Sequence, residues 1–169
     1  MKIFLIGFMG CGKSTLGKKL AAKMSYEFID LDHQLEKELG MSIGQYFAEH
    51  GEAAFREQEK KILQGYAYPG NVVVATGGGA PCYFDNMDWM NQNGTTVYIS
   101  LAPAALAKRL ESGKDKRPLL KDLTEEEMIA FIEGKLAERE EFYQAAQIIA
   151  NGINLSADTL RAQLLAEGK

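Results

Sequence analysis

The chain has 169 residues, 46% hydrophobic and 25% charged, proportions that fit a single globular domain with a core of its own and exclude intrinsic disorder as the main state. Lysine and arginine total 19 against 23 aspartates and glutamates, a formal charge of −4, which argues against a nucleic-acid or anionic-membrane partner and leaves any anionic ligand to local chemistry. Cys11 and Cys82 are too sparse for a disulfide framework or a metal site, so a reducing, cytoplasmic compartment is expected. The apolar start is shorter than the roughly 15–30 residues of a signal peptide, and no run approaches the ~20 residues of a membrane span.

The first β-like run, Lys2 to Gly7, is continuously apolar through Ile3-Phe4-Leu5-Ile6, as in a parallel strand covered on both faces. It leads into Gly7-Phe8-Met9-Gly10-Cys11-Gly12-Lys13-Ser14-Thr15, which fits G-x-x-x-x-G-K-[ST], and then into a helical pattern from Leu16 to Met24. Such glycines let the backbone curl with its N–H groups inward at a helix N-terminus, an anion nest for nucleotide phosphates. Lys13 supplies a point charge to the β- and γ-phosphates, and Ser14 offers a hydroxyl to Mg2+, a hard cation that takes oxygen ligands. Cys11 has no His or second Cys close in sequence to activate it and reads as a small filler.

The second strand, Tyr26 to Asp30, runs into Asp30-Leu31-Asp32. If the strand persists that far, both carboxylates project to one face at its carboxyl end, where open α/β sheets bind ligands. Asp30 can then hold a water of the Mg2+ shell and Asp32 accept from an acceptor hydroxyl; either can equally cap a helix over Leu31 to Leu39. Ser42 followed by Gln45 marks another helix start. Farther along that helix Arg56 stands four residues after Glu52, a spacing that also suits a solvated surface pair.

A third strand, Asn71 to Thr76, precedes Gly77-Gly78-Gly79-Ala80-Pro81, which suits a backbone approach to a ligand or a plain tight turn. Thr95 to Leu101 is the fourth strand. From about Ser112 to Leu123 the apolar period disappears, and the polar stretch containing Arg117 reads as an active-site lid or a floppy loop. Thr124 followed by Glu127 opens a long helix to about Ala145, with Arg139 four residues before Tyr143, and Gln147 to Asn151 is a weaker fifth strand. Strands alternating with helices predict one three-layer α/β domain over residues 1–169. His33 and His50, without triad or metal partners at useful spacing, read as non-catalytic.

The P-loop, Asp30-Leu31-Asp32, Gly51-Glu52-Ala53-Ala54-Phe55-Arg56, Ala75-Thr76-Gly77-Gly78-Gly79, Lys116-Arg117-Pro118-Leu119-Leu120 and Arg139 with Tyr143 together resemble shikimate kinase, over residues 3 to about 145. The resemblance implies a P-loop NTPase fold of the nucleoside monophosphate kinase kind: a five-stranded parallel sheet of order 2-3-1-4-5, helices on both faces, a mobile lid at about 112–123 and an acceptor-binding region at about 31–60. It implies a monomer that transfers the γ-phosphoryl of ATP to the 3-hydroxyl of shikimate with Mg2+. Gly10, Cys11, Gly12, Lys13, Ser14 and Thr15 would cradle ATP, Ser14 and Asp30 would serve the metal, and Arg109 would stack on adenine. Asp32 would orient or deprotonate the acceptor, Arg56 and Arg139 would grip its carboxylate, Gly78 and Gly79 would add backbone contacts, and Arg117 would close over ATP. After Tyr143 the run Ile149-Ala150-Asn151-Gly152-Ile153-Asn154 departs from the family's adenine-contacting pattern. The rivals are a related kinase acting on gluconate, and a nucleotide-binding module without transfer; the module would need N-K-x-D and D-x-x-G strings, and neither occurs.

Overall fold

The computed structural model describes residues 1–111 and 120–167. Arg117 and most of the expected lid therefore lie outside the described residues. The five expected strands are all present, each shorter by one or two residues: β1 Lys2–Ile6, β2 Glu27–Asp30, β3 Val72–Ala75, β4 Thr95–Ser100 and β5 Ile148–Asn151. All pairings are parallel, and the order is β2-β3-β1-β4-β5. The continuous apolar runs explain the centre of this sheet: Ile3 through Ile6 and Val72 through Val74 are completely buried, with helices over both faces. At about 1.5–3 kcal/mol for each fully buried large aliphatic side chain, these two strands are the main source of the sheet's stability.

The helices are α1 Lys13–Met24, α2 Leu31–Leu39, α3 Ile43–Gly65, α4 Asn86–Asn93, α5 Pro103–Glu111, α6 Glu125–Tyr143 and α7 Ala157–Glu167. Helix α1 begins at Lys13 rather than Leu16, because Gly12 at φ 100° turns the loop directly into the first helical turn. Helix α3 is broken at Gly51, whose φ of 84° and ψ of 173° suit glycine alone. The break divides an exposed N-terminal piece from the piece that carries Arg56. Sequence reading named no helix after β5, yet α7 starts where the Ser156 hydroxyl accepts from the Thr159 amide at 3.0 Å. Its Ala157, Leu160 and Leu164 are buried, and Lys23 of α1 meets Asp158 at 2.9 Å.

Both hydroxyl caps form. Ser42 accepts from the Gln45 amide at 3.1 Å, and Thr124 forms a reciprocal capping box with Glu127 at 3.2 and 3.1 Å. Thr124→Ala removes that acceptor and is expected to lower unfolding free energy by about 1 kcal/mol. Urea denaturation checks this.

Strand β1 lies at the middle of the sheet, flanked by β3 and β4, so the chain segments following β1 and β3 leave adjacent carboxyl ends. That crevice is the usual ligand position in an open α/β sheet.

Candidate active site

The loop between β1 and α1 takes its shape from glycines in a backbone conformation that strains other residues. Gly10 and Gly12 have φ of 80° and 100°, and a Cβ on Gly10 would come within 2.7 Å of Leu110. Lys13 folds back over the loop, its Nζ donating to the Gly7 carbonyl at 2.6 Å and the Phe8 carbonyl at 3.1 Å. Cys11 is buried, as expected of a filler, with its sulfur 3.8 Å from Lys13 Nζ. Thr15 is exposed on the first turn of α1.

Asp30 forms the helix cap that its position allowed and also meets the P-loop serine. Strand β2 stops at Asp30, and Asp30 Oδ1 caps α2 by accepting from the amides of Asp32 at 3.1 Å and His33 at 3.3 Å. Its other oxygen, Oδ2, accepts from Ser14 Oγ at 2.9 Å. The strand does not persist to Asp32, so the condition for both carboxylates to share one strand face is not met. Asp32 lies in the first turn of α2, where the helix start, rather than strand alternation, brings it beside Asp30. The two carboxylates still face the P-loop, across a cavity of ≈ 380 Å³ also lined by Lys13, Ser14, Thr76 and Gly78. Ser14 and Asp30 are hard oxygen donors beside the phosphate nest. That set fits Mg2+, which keeps several waters and substrate oxygens and does not need an all-protein cage.

Arg56 is not the solvated surface charge its spacing from Glu52 allowed. It is 9% exposed, with NH1 donating to the buried Glu59 at 2.9 Å and NH2 reaching Glu52 at 3.4 Å, while its guanidinium lies 4.2 Å from the Tyr83 ring centre. Its Nε–H has no hydrogen-bond partner among the described residues. A buried charged donor without an acceptor is costly unless a ligand supplies one.

The three glycines after β3 are needed for space rather than for unusual dihedrals; none has positive φ. A Cβ on Gly77 would stand 2.8 Å from Glu59 Oε2 and 2.9 Å from Asp32 Oδ1, and one on Gly79 would meet the Arg56 guanidinium at 2.7 Å. A Cβ on Gly78 would be 3.6 Å from Arg139 NH1 and 3.3 Å from the Met9 amide. The turn is thus the place where α2, α3, α6 and the P-loop meet. The amides of Gly78 and Gly79 donate to no acceptor among the described residues.

Electrostatics link these groups into one site. Burial raises the Asp32 pKa above its usual value, and the neighbouring Asp30 adds to the rise, against the opposing pull of Lys13 and Arg56. Burial likewise raises Glu59, partly offset by Arg56, while Asp32 pushes it up and Arg139 pulls it down. Burial works against the Arg56 charge, yet Glu59 outweighs it and the guanidinium binds its proton more tightly than usual. The Cys82 thiol is pushed up to about 11 by burial, which disfavours its thiolate.

On the other side of the P-loop, Arg109 of α5 donates to the Cys11 carbonyl at 3.1 Å. It borders a second cavity of ≈ 360 Å³ together with Thr15, Gly152 and Ser156. The segment after β5, poorly matched in sequence, is fixed there by Gly152 N–H donating to Ser100 O at 2.8 Å. Sequence reading missed Glu59, although its i,i+3 spacing from Arg56 was visible, and missed the packing roles of Tyr83 and Tyr143.

A sequence model of shikimate kinase matches residues 9–167. A shikimate kinase of Parabacteroides distasonis is 49% identical over 147 residues, 87% of this chain and 85% of that protein. The crystal structure of a shikimate kinase from Bacteroides thetaiotaomicron superposes with a TM-score of 0.91 at 43% identity, covering 99% of this chain and 98% of that one. Another, from Acinetobacter baumannii in complex with shikimate, gives a TM-score of 0.83 at 32% identity over 97% and 90% of the two chains. With the P-loop, the paired carboxylates and the buried arginine gathered at the carboxyl end of the sheet, these matches place the chain in the shikimate kinase family.

Proposed function

We propose that this protein transfers the γ-phosphoryl group of ATP to the 3-hydroxyl of shikimate, yielding shikimate 3-phosphate and ADP. The observation that carries the reading is Arg56: a buried guanidinium whose Nε–H has no partner among the described residues, electrostatically coupled to Asp32 and through it to the P-loop lysine. A small hydroxy acid supplies the complementary groups, a carboxylate for Arg56 and Arg139 and hydroxyls for Asp32.

In this reading the amides of Gly10, Cys11, Gly12, Ser14 and Thr15 receive the phosphates, and Lys13 leaves its loop carbonyls for the β- and γ-phosphoryl oxygens. Mg2+, held through the Ser14 hydroxyl with Asp30 on its water shell, would neutralise charge on those oxygens. Asp32 orients the acceptor hydroxyl. As the alcohol oxygen bonds to the γ-phosphorus and the bond to the bridging oxygen of ADP breaks, the hydroxyl proton passes to Asp32. A loose phosphoryl-transfer transition state asks for positioning and charge stabilisation more than a strong base. Arg56, Arg139 and the backbone of Gly78 and Gly79 hold the acceptor, Arg109 adjoins the base, and Arg117 is assigned to the transferring group. In this reading the enzyme is a monomer acting on small molecules. No helix among the described residues is long and apolar enough to cross a membrane, and with two free cysteines we place the enzyme in the cytoplasm.

An ADP-release assay with shikimate, gluconate and AMP tests the assignment: saturable turnover on shikimate alone is expected, and turnover on gluconate without shikimate would refute it. Asp32→Asn is expected to abolish most turnover while raising the melting temperature at pH 8. The sign follows from the raised folded-state pKa. The neutral form is favoured by folding, so that contribution to stability is full below the unfolded value of about 3.9 and is lost as pH rises through the folded value. The variant's advantage should therefore shrink as the pH is lowered towards 4, which thermal scans across pH measure.

A further inference from the structure

Resting on that reading, we propose that Tyr143 is a positioning residue for the acceptor, orienting the Gly78–Gly79 peptide through its buried hydroxyl. Tyr143 ends α6 and is fully buried, its ring 4.9 Å from that of Tyr98. Its hydroxyl donates to the Gly78 carbonyl at 2.5 Å.

A peptide unit that is planar and trans turns the carbonyl of one residue and the N–H of the next to opposite sides, and the chain has no cis bonds. Pulling the Gly78 carbonyl towards Tyr143 therefore turns the Gly79 N–H away from it. Two glycines in succession would otherwise let that peptide rotate at little cost, since neither carries a Cβ to restrict it. The hydroxyl supplies the restriction that the side chains cannot.

The same residue stands one turn beyond Arg139, and residues four apart share a helix face. Burial raises the Tyr143 pKa while the Arg139 charge pulls it back, so the phenol stays protonated as a donor near neutral pH. The hydroxyl is thus the point at which α6, the bearer of Arg139, is fastened to the turn that carries the backbone contacts. Loss of this bond alters the preorganisation of the acceptor subsite, while Lys13 keeps its own hydrogen bonds to the P-loop carbonyls.

The test is Tyr143→Phe, which keeps the ring and its packing, assayed by ADP release and compared with Tyr98→Phe, which removes a nearby hydroxyl that does not reach Gly78. Expected for Tyr143→Phe is a rise of about tenfold in the shikimate KM, with kcat and the ATP KM within about twofold of the parent. Tyr98→Phe should leave all three unchanged. An unaltered shikimate KM, or parallel rises for both substrates, overturns the positioning role. A parent protein that turns over no shikimate overturns the underlying activity instead, and the role with it.

Discussion

Lys13→Ala is expected to lower kcat by about a thousandfold, equivalent to about 4 kcal/mol of transition-state stabilisation. Lys13 Nζ lies within hydrogen-bond distance of the Gly7 and Phe8 carbonyls, beside the loop proposed to receive the phosphates. Its charge matters most as negative charge redistributes between the γ-phosphoryl group and the departing ADP. The shikimate KM should move little, because the proposed acceptor side is built from α2, α3, α6 and the glycine turn. Removing the ammonium also frees the loop carbonyls it holds, so ATP affinity should fall more modestly. Steady-state ADP release with calorimetric titration of ATP separates the two effects. A kcat within tenfold of the parent would show that the loop amides alone carry the charge.

The second large effect is expected at Arg56. Arg56→Ala should raise the shikimate KM by about a hundredfold, since a charged hydrogen bond in a buried site is worth about 1.5–3 kcal/mol and Arg56 offers more than one donor. It should also destabilise the fold by about 3 kcal/mol, because Glu59, 5% exposed, loses its counter-charge. The two consequences are separable by pH. Without Arg56 the folded-state pKa of Glu59 rises further, so the stability deficit grows as pH increases through that value and diminishes in acid. Arg56→Lys keeps a charge near Glu59 but loses the planar fork. It should recover much of the stability and little of the shikimate affinity. Equal recovery of both, by denaturation and kinetics, would make Arg56 a structural counter-ion and remove half of the acceptor clamp.

The contrast between Lys13 and Arg56 shows what could be read in the chain before it was folded. Lys13 belongs to a contiguous motif in which loop, charge and helix start are consecutive residues, so local backbone geometry alone creates the phosphate nest. The strands were legible for a similar reason: burial on both faces leaves an uninterrupted apolar run, which Ile3 to Ile6 and Val72 to Ala75 display. Arg56 was legible as chemistry only through resemblance. Its spacing from Glu52 also fits an exposed ion pair, and whether a helical position faces solvent or interior depends on what packs against it. The same holds for Asp32, where the sequence allowed strand or helix and the structure chose the helix because the Asp30 side chain captures the amides of Asp32 and His33.

What the sequence alone determined is therefore local: the alternation of strands and helices, the curled phosphate loop, the hydroxyl caps and the three small residues after β3. Tertiary packing decided which charges are buried, which of them the glycine turn is packed against, and which carbonyl the hydroxyl of Tyr143 holds. These pairings join residues from α2, α3, α6 and the glycine turn, as in the 65-residue separation between Tyr143 and Gly78. Hydrophobic periodicity reports the face a residue occupies on its own element. It carries no information about the polar group that another element brings against that face, and the acceptor side of this site is made of such meetings.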